Sequence, residues 1–436
     1  MMDIDFLAEL VELDTNSEKK SNYEKCAELI RRRVEAAGLQ AKIYNAEPCK
    51  GKPRPNLIIS LDCDAGQTLL LATHYDVVPA GDGWNHPPFN LTTERGRAYG
   101  RGAADDKGGI ISALSAMKTL MERGSSKVNV KLLVTCDEEV GGDKGLGYLM
   151  TARGNGSFLV DGDAAILIDA GPRVYIGSSG RAAGRISASG LLSELLLLLS
   201  RAVDYSKNRE KVLSNLVSAS TGGRIWGRIS VTMLQLSGGA VEYAKAGVKS
   251  NVIPGECRLK LKGEKEKLIL GKQAHAGYPH LAKNAIEKSL PLLKKAADLS
   301  DGRSRCEFVF DLRTVPEENL DSAILDFEKY VRTINPQLEF GIEERTEGYV
   351  LPESHPLVSM MKGATGEKNV YGELGGTDAQ FFCRRGIPSI CFGPISDESN
   401  IHGKDEFVKI KDLEFVSSSL IKLCENWRNF RASPRE

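Results

Sequence analysis

Three apolar runs without alternation constrain this chain most, because each one stops on a cluster of metal-type donors. TLLLATHYD (68–76) ends in His74 and Asp76, VKLLVTCDEE (130–139) in Asp137, Glu138 and Glu139, and AAILIDAG (164–171) reaches Asp169. Short uninterrupted apolar runs read as strands of a parallel sheet covered on both faces. Open parallel sheets bind ligands beyond the carboxyl ends of their strands. Side by side, these strands would bring an imidazole and several carboxylates into one crevice, where unpaired negative charge is costly to keep dry. A cation relieves that cost.

The texture of the chain predicts how the crevice is built. Helical spacing at 3–13 and 21–37 is followed by alternating strands and helices up to about residue 180, an α/β pattern. From 181 to 341 the pattern turns α+β, with strands expected at 228–236, 257–262, 267–274 and 306–312 and helices at 191–201, 283–297 and 317–333. The strand PSICFG (388–393) and a helix at 411–428 return to the first texture. The expectation is a domain formed by 1–180 and 342–436, interrupted by an inserted domain at 181–341. A chain of 436 residues is long enough for two cores.

Composition excludes several partners. Lysine plus arginine and aspartate plus glutamate stand at 58 each, and no basic tract tracks a phosphate backbone, so no nucleic acid is expected. LLSELLLLLS (191–200) contains Glu194 and falls short of the roughly 20 apolar residues of a membrane span, so it reads as a buried helix. The first residues carry acids where a secretory signal carries basic residues. Nine cysteines are scattered without paired spacing, the pattern of reduced thiols in a cytoplasmic protein.

The chemistry concentrates in four segments. His74 and Asp76 are two apart on a strand, so an aspartate behind the imidazole can fix its tautomer while the other nitrogen ligates a metal. In GRGAADDKGG (100–109) the glycines permit a sharp turn that presents Asp105, or its neighbour Asp106, with both oxygens free to serve two metals. Adjacent Glu138 and Glu139 can divide the labour, one as ligand and one as the base that takes a proton from a zinc-acidified water. His402, in SNIHGKDEFV, can reach the same crevice from a polar loop. His74, Asp105, Glu139, Asp169 and His402 form a mixed nitrogen and oxygen set without thiolate. Such a set suits a pair of divalent ions, zinc first, with cobalt and manganese accepting overlapping ligands.

Together HYDVVPAG, GRGAADDKGG, TCDEEVGG, Asp169, SNVIPG (250–255), DLRTVP (311–316) and IHGKDEFV resemble the di-zinc amidohydrolases and exopeptidases. That group includes acetylornithine deacetylase, succinyl-diaminopimelate desuccinylase, aminoacylase and glutamate carboxypeptidase. The resemblance implies a phosphorylase/hydrolase-like α/β catalytic domain and an inserted, ferredoxin-like α+β lid through which the chain forms a homodimer. It implies that His74, Asp105 and Asp169 hold one ion, and Asp105, Glu139 and His402 the other. Asp76 would support His74, and Glu138 would be the general base. It further implies that His275, in GKQAHAGYP, stabilises the oxyanion. Arg313, Asn251 and the loop residues Gly375, Gly376 and Thr377 would contact substrate. In the family the AHAG-type segment precedes NVIP, whereas here NVIP comes first, so the inserted domain reads as circularly rearranged.

The expected function is therefore metal-dependent hydrolysis of an amide in a small carboxylate-bearing substrate, an N-acyl amino acid or a terminal peptide, by a zinc-activated water with Glu138 as base. The alternative is a non-catalytic peptide- or metal-binding protein on the same fold.

Overall fold

The structure, a computed structural model, describes all residues except 1, 50, 155, 191, 210, 239, 277–280, 298–303 and 431–436. Contacts divide the chain into two compact units. The first comprises Met1–Ile176, Leu351–Tyr371 and Asp378–Glu436, and the second Gly177–Val350 and Gly372–Thr377.

In the first unit the strand Thr68–His74 runs parallel to Asn129–Thr135 on one side and to Ala164–Leu167 on the other, and Ser389–Cys391 runs parallel to Ala164–Leu167. Leu69 to Ala72, Leu132 to Val134 and Ala164 to Leu167 are all buried, so the absence of alternation reflects cover on both faces. Helix Lys107–Arg123 packs on the His74 strand, and helices Ile4–Glu12 and Ile410–Glu425 pack on that helix. The register pairs His74 with Thr135 and Ala72 with Leu167, which aligns the carboxyl ends of the three strands.

The three apolar runs are parallel neighbours as expected, and the sheet as a whole is mixed. Gln40–Cys49 and Lys52–Leu61 pair antiparallel, and Lys52–Leu61 pairs antiparallel with Asn129–Thr135. The first of these pairings runs as far as Cys49 with Lys52, with two residues between them in the chain, a spacing that only antiparallel neighbours allow.

The second unit is built on a seven-stranded sheet. Its order is Lys267–Leu270, Glu256–Leu261, Val241–Ala246, Arg228–Gly238, Arg305–Arg313, Arg181–Ser189 and Glu339–Thr346, with every neighbour antiparallel. Helices Leu192–Arg209, Ala285–Ala297 and Leu320–Ile334 pack on it around Ile186, Leu234, Leu259, Phe308, Phe310 and Phe327. The helix expected at 191–201 continues to Arg209, and Tyr205 in the extension packs on Phe327 and Tyr330. The boundary expected at 341/342 falls inside Glu339–Thr346, whose pairing with Arg181–Ser189 carries this unit on to Val350.

The rearranged segments have a structural counterpart. SNVIPG and KQAHAG both lie between Arg228–Gly238 and Arg305–Arg313, in the stretch that adds three strands to one edge of the sheet. Val252–Ile253 pairs antiparallel with Ala274–His275, and the Ala276 amide donates to the Asn251 carbonyl at 2.8 Å. The two motifs are neighbours in space despite their inverted order in the chain.

Candidate metal centre

His74 closes its strand with the imidazole buried. Its Nδ1–H donates to the backbone carbonyl of Asp76 at 3.0 Å, which points Nε2 toward the strand ends. Around Nε2 stand Asp105 Oδ1 at 3.0 Å, Glu138 Oε2 at 3.9 Å and Asp169 Oδ2 at 4.0 Å. The other oxygen of Asp105 lies 3.2 Å from His402 Nε2, and Glu139 Oε2 lies 3.1 Å from the same nitrogen. Donors of a tetrahedral ion with bonds near 2 Å stand roughly 3.3 Å apart, so these spacings fit two ions that share Asp105.

Two groups of donors result, each with its ligand atoms within 4.8 Å of one another. One is His74, Glu138 and Asp169, and the other is Asp105, Glu139 and His402. Glu138 stands in the first group where the family pattern has Asp105. Asp105 Oδ1 is nevertheless the nearest of these oxygens to His74 Nε2, while Glu138 Oε2 and Asp169 Oδ2 stand at comparable distances.

Several other residues hold these donors. The Asp76 carboxylate, expected behind His74, stands 3.5 Å from Nδ1 and also accepts the amides of Glu138 at 3.2 Å and Glu139 at 3.3 Å. It fixes the short 3-10 turn Glu138–Val140, while its own carbonyl orients the imidazole. Asp137, one of the strand-end acids, turns away from the cluster. It pairs with Arg54 Nε at 2.5 Å and Lys20 Nζ at 2.7 Å and accepts from the Tyr23 hydroxyl at 3.1 Å.

The Asp105 loop turns at Gly102, where φ is +83° and a Cβ would come within 2.6 Å of Val77. Sequence reasoning missed its anchor, Glu406. This fully buried carboxylate accepts the amides of Ala104 at 3.0 Å and Asp105 at 3.2 Å, and its other oxygen pairs with Arg101. Arg101 also donates to the Gly403 carbonyl at 2.9 Å, tying the Asp105 loop to the His402 loop. Partners 305 positions apart, of ordinary residue types, leave no local signal.

Electrostatics mark the cluster as short of positive charge. Burial, then the charge of Asp105, pushes the Asp169 carboxyl up to about 7. Burial, then Asp169, drives Glu138 well above the usual carboxylate range, and burial with Asp105 raises Glu139. Burial opposes the charged form of His402, yet hydrogen bonds to Asp105 and Glu139 hold its imidazole up at about 11. Burial likewise opposes ionisation of Asp105, but His402 and His74 keep its carboxyl well below the ordinary value. Asp106 is fully buried, and among the described residues neither of its carboxylate oxygens has a hydrogen-bond partner. Divalent cations would satisfy this acid-rich, thiolate-free set.

The residues assigned to substrate all belong to the second unit: His275, Asn251, Arg313, Gly376 and Thr377. Arg313 is 5% exposed, and its Nε and Nη2 grip Asp311 at 2.7 and 3.2 Å; Arg181 Nε shares that carboxylate at 2.8 Å. Asn251 offers its carbonyl to Ala276. Gly376 lies against Thr346, and Thr377 is buried. The side chain of His275 lies outside the described residues. Among the described residues, no helix is long and apolar enough to cross a membrane.

Comparison with known proteins gives a consistent picture. Residues 70–426 match the model of peptidase family M20/M25/M40. A stretch of 87 residues, 20% of the chain and 19% of the relative, is 45% identical to cysteinylglycine-S-conjugate dipeptidase of Corynebacterium striatum. Another 87-residue stretch, 20% of the chain and 23% of the relative, is 46% identical to succinyl-diaminopimelate desuccinylase of Gluconobacter oxydans. The chain thus spans about a fifth of the length of these curated relatives. The M20 family metallo-carboxypeptidase Sso-CP2 of Sulfolobus solfataricus superposes with a TM-score of 0.65 over 97% of this chain and 98% of its own, at 17% identity, which is a likeness of fold.

Proposed function

The chain belongs to peptidase family M20/M25/M40, and from that premise we propose that it is a metal-dependent hydrolase. It cleaves the amide bond of a small carboxylate-bearing substrate, as a terminal peptidase or an N-acyl amino acid deacylase. The observation that carries this reading is Asp105, whose two oxygens stand 3.0 Å from one imidazole and 3.2 Å from another, as a carboxylate shared by two ions requires. His74 and Asp169 complete one ligand set and Glu139 and His402 the other. Zinc is the physiological pair in this reading, with cobalt and manganese able to replace it.

When bound, such ions supply positive charge that acidifies water and polarises a carbonyl. Glu138 accepts the proton of the attacking water and returns it to the departing amine. Asp76 keeps Glu138 and Glu139 on one turn with their carboxylates assigned to different tasks. His275 serves the oxyanion, and Arg313, Asn251, Gly376 and Thr377 hold the substrate.

The second unit acts as a lid and as the surface of a homodimer. Supporting this reading, the inner sheet order 228–238, 305–313, 181–189, 339–346, with helices 192–209 and 320–334 in the connections, resembles a ferredoxin-like path extended at one edge. The protein works in the cytoplasm in this reading, consistent with eight described cysteines that are free thiols. The decisive experiment is Glu138→Ala with metal content measured. Retained ions with lost amide cleavage supports the assignment, and cleavage at the wild-type rate defeats it. A metal-loaded wild type that binds peptides but cleaves no amide would identify a binding protein instead.

A further inference from the structure

Once five donors and Glu138 have their roles, two buried carboxylates beside them, Asp378 and Asp106, stay unused. Asp378, 4% exposed, stands at the N-cap of the short helix Ala379–Cys383 but accepts from none of its amides. No described residue gives its carboxylate a hydrogen bond or an ion pair. It lies near enough to His74, Asp169 and Glu138 for their charges to act on one another. Gly142, at φ +72° in the loop that follows Glu139, gives it room, since a Cβ there would come within 2.4 Å of its Oδ1.

The other spare acid, Asp106, is closed off. It has no exposed surface, and Gly109 is packed so tightly against it that a Cβ would come within 2.2 Å of its Oδ1. Asp378 keeps a small opening.

A buried, unpaired carboxylate beside the reacting groups calls for a cation from the substrate. In a peptide with a free amino terminus, the first nitrogen is two bonds, roughly 2.5 Å, from the first carbonyl carbon. An ammonium there must therefore lie next to the ligands of the ions when that bond is cleaved. We propose that Asp378 receives the free α-ammonium on the acyl side of the scissile bond, so that the substrate is an unblocked dipeptide or short peptide cleaved after its first residue. This rests on the hydrolytic reading above and narrows it. An N-acyl amino acid would set hydrocarbon against Asp378 and leave the carboxylate unpaired.

The test uses L-alanyl-L-alanine and N-propanoyl-L-alanine, which differ only by the ammonium group, with the full-length, metal-loaded protein. The wild type should prefer the dipeptide by about tenfold or more in kcat/KM. Asp378→Asn should cut that preference to within about threefold through KM for the dipeptide, with cleavage of N-propanoyl-L-alanine unchanged. Calorimetry on metal-loaded Glu138→Ala gives a readout apart from turnover: tighter binding of the dipeptide, lost when Asp378→Asn is added. If Asp378→Asn does not fold, Asp378→Glu and the wild-type pair still decide.

Equal or better cleavage of N-propanoyl-L-alanine by the wild type overturns the proposal, as does a dipeptide preference that survives Asp378→Asn. Ammonium-selective binding without cleavage of either compound keeps the ammonium site and removes the hydrolytic reading. Neither binding nor cleavage removes both.

Discussion

The donors of the first unit and the proposed substrate groups of the second are held in opposite ways. Around the donors, a further shell fixes backbone. Asp76 grips the amides of Glu138 and Glu139, Glu406 those of Ala104 and Asp105, and Asp137 is clamped by Arg54 and Lys20. In the second unit the polar groups hold each other. Arg313 and Arg181 share Asp311, and Arg181 also pairs with Glu344 and donates to Ser250 at 2.9 Å. The difference teaches that one unit is built to keep atoms still, whereas the other keeps charged side chains that can exchange a partner for a ligand.

Variants can break that contrast, and the largest effect belongs to the first unit. Glu138→Ala should lower kcat by about a thousandfold while leaving metal content and KM nearly unchanged, as measured by steady-state kinetics and elemental analysis. Glu406→Gln touches no proposed donor side chain. It should weaken metal affinity by about 10- to 100-fold, read by chelator competition, with activity recovering at saturating metal. Unaltered affinity would remove Glu406 from the support of the centre.

Arg313→Lys probes the other side. It should raise KM about tenfold with little change in kcat, because a point charge replaces a two-pronged grip. A fall in kcat alone would place Arg313 with the machinery and erase the contrast. The smallest effect is a pH dependence of the metal-stripped protein. Burial and Asp105 hold Asp169 up at about 7. Burial, opposed by His74 and reinforced by Asp169, holds Asp378 up at about 8. An acid whose folded pKa exceeds its unfolded value near 3.8 binds protons better when folded, so stability falls as pH rises from that value through the folded one. Chelated protein should lose roughly several degrees of Tm between pH 5 and pH 8, and loading with zinc should flatten the profile.

The two regions were also unequally legible in the sequence. His74, Glu139 and Asp169 follow directly on buried strands, so strand ends and donors announced one another. Parallel pairing of 68–74 with 129–135 and 164–167 then aligned them. Glu406 and Asp378 gave no such sign, because an acid in a polar loop looks solvated until the chain that buries it is in place. The antiparallel edge at 40–61 was not read from the sequence, because apolar runs record burial on two faces and say nothing of strand direction. In the second unit the strand segments were readable one by one. Their order was not, since it depends on pairings such as Arg181–Ser189 with Arg305–Arg313, more than a hundred residues away.

The tie between Glu406 and the Asp105 loop sets the order in which the centre can be made. A nascent polypeptide carries four of the five proposed donors by the time Asp169 leaves the ribosome. The fifth, His402, and the carboxylate that steadies Asp105 emerge only after the whole 177–350 unit has been translated. The proposed paired centre therefore matures late, and a chain truncated before residue 402 lacks His402 and with it a member of the candidate group Asp105, Glu139 and His402.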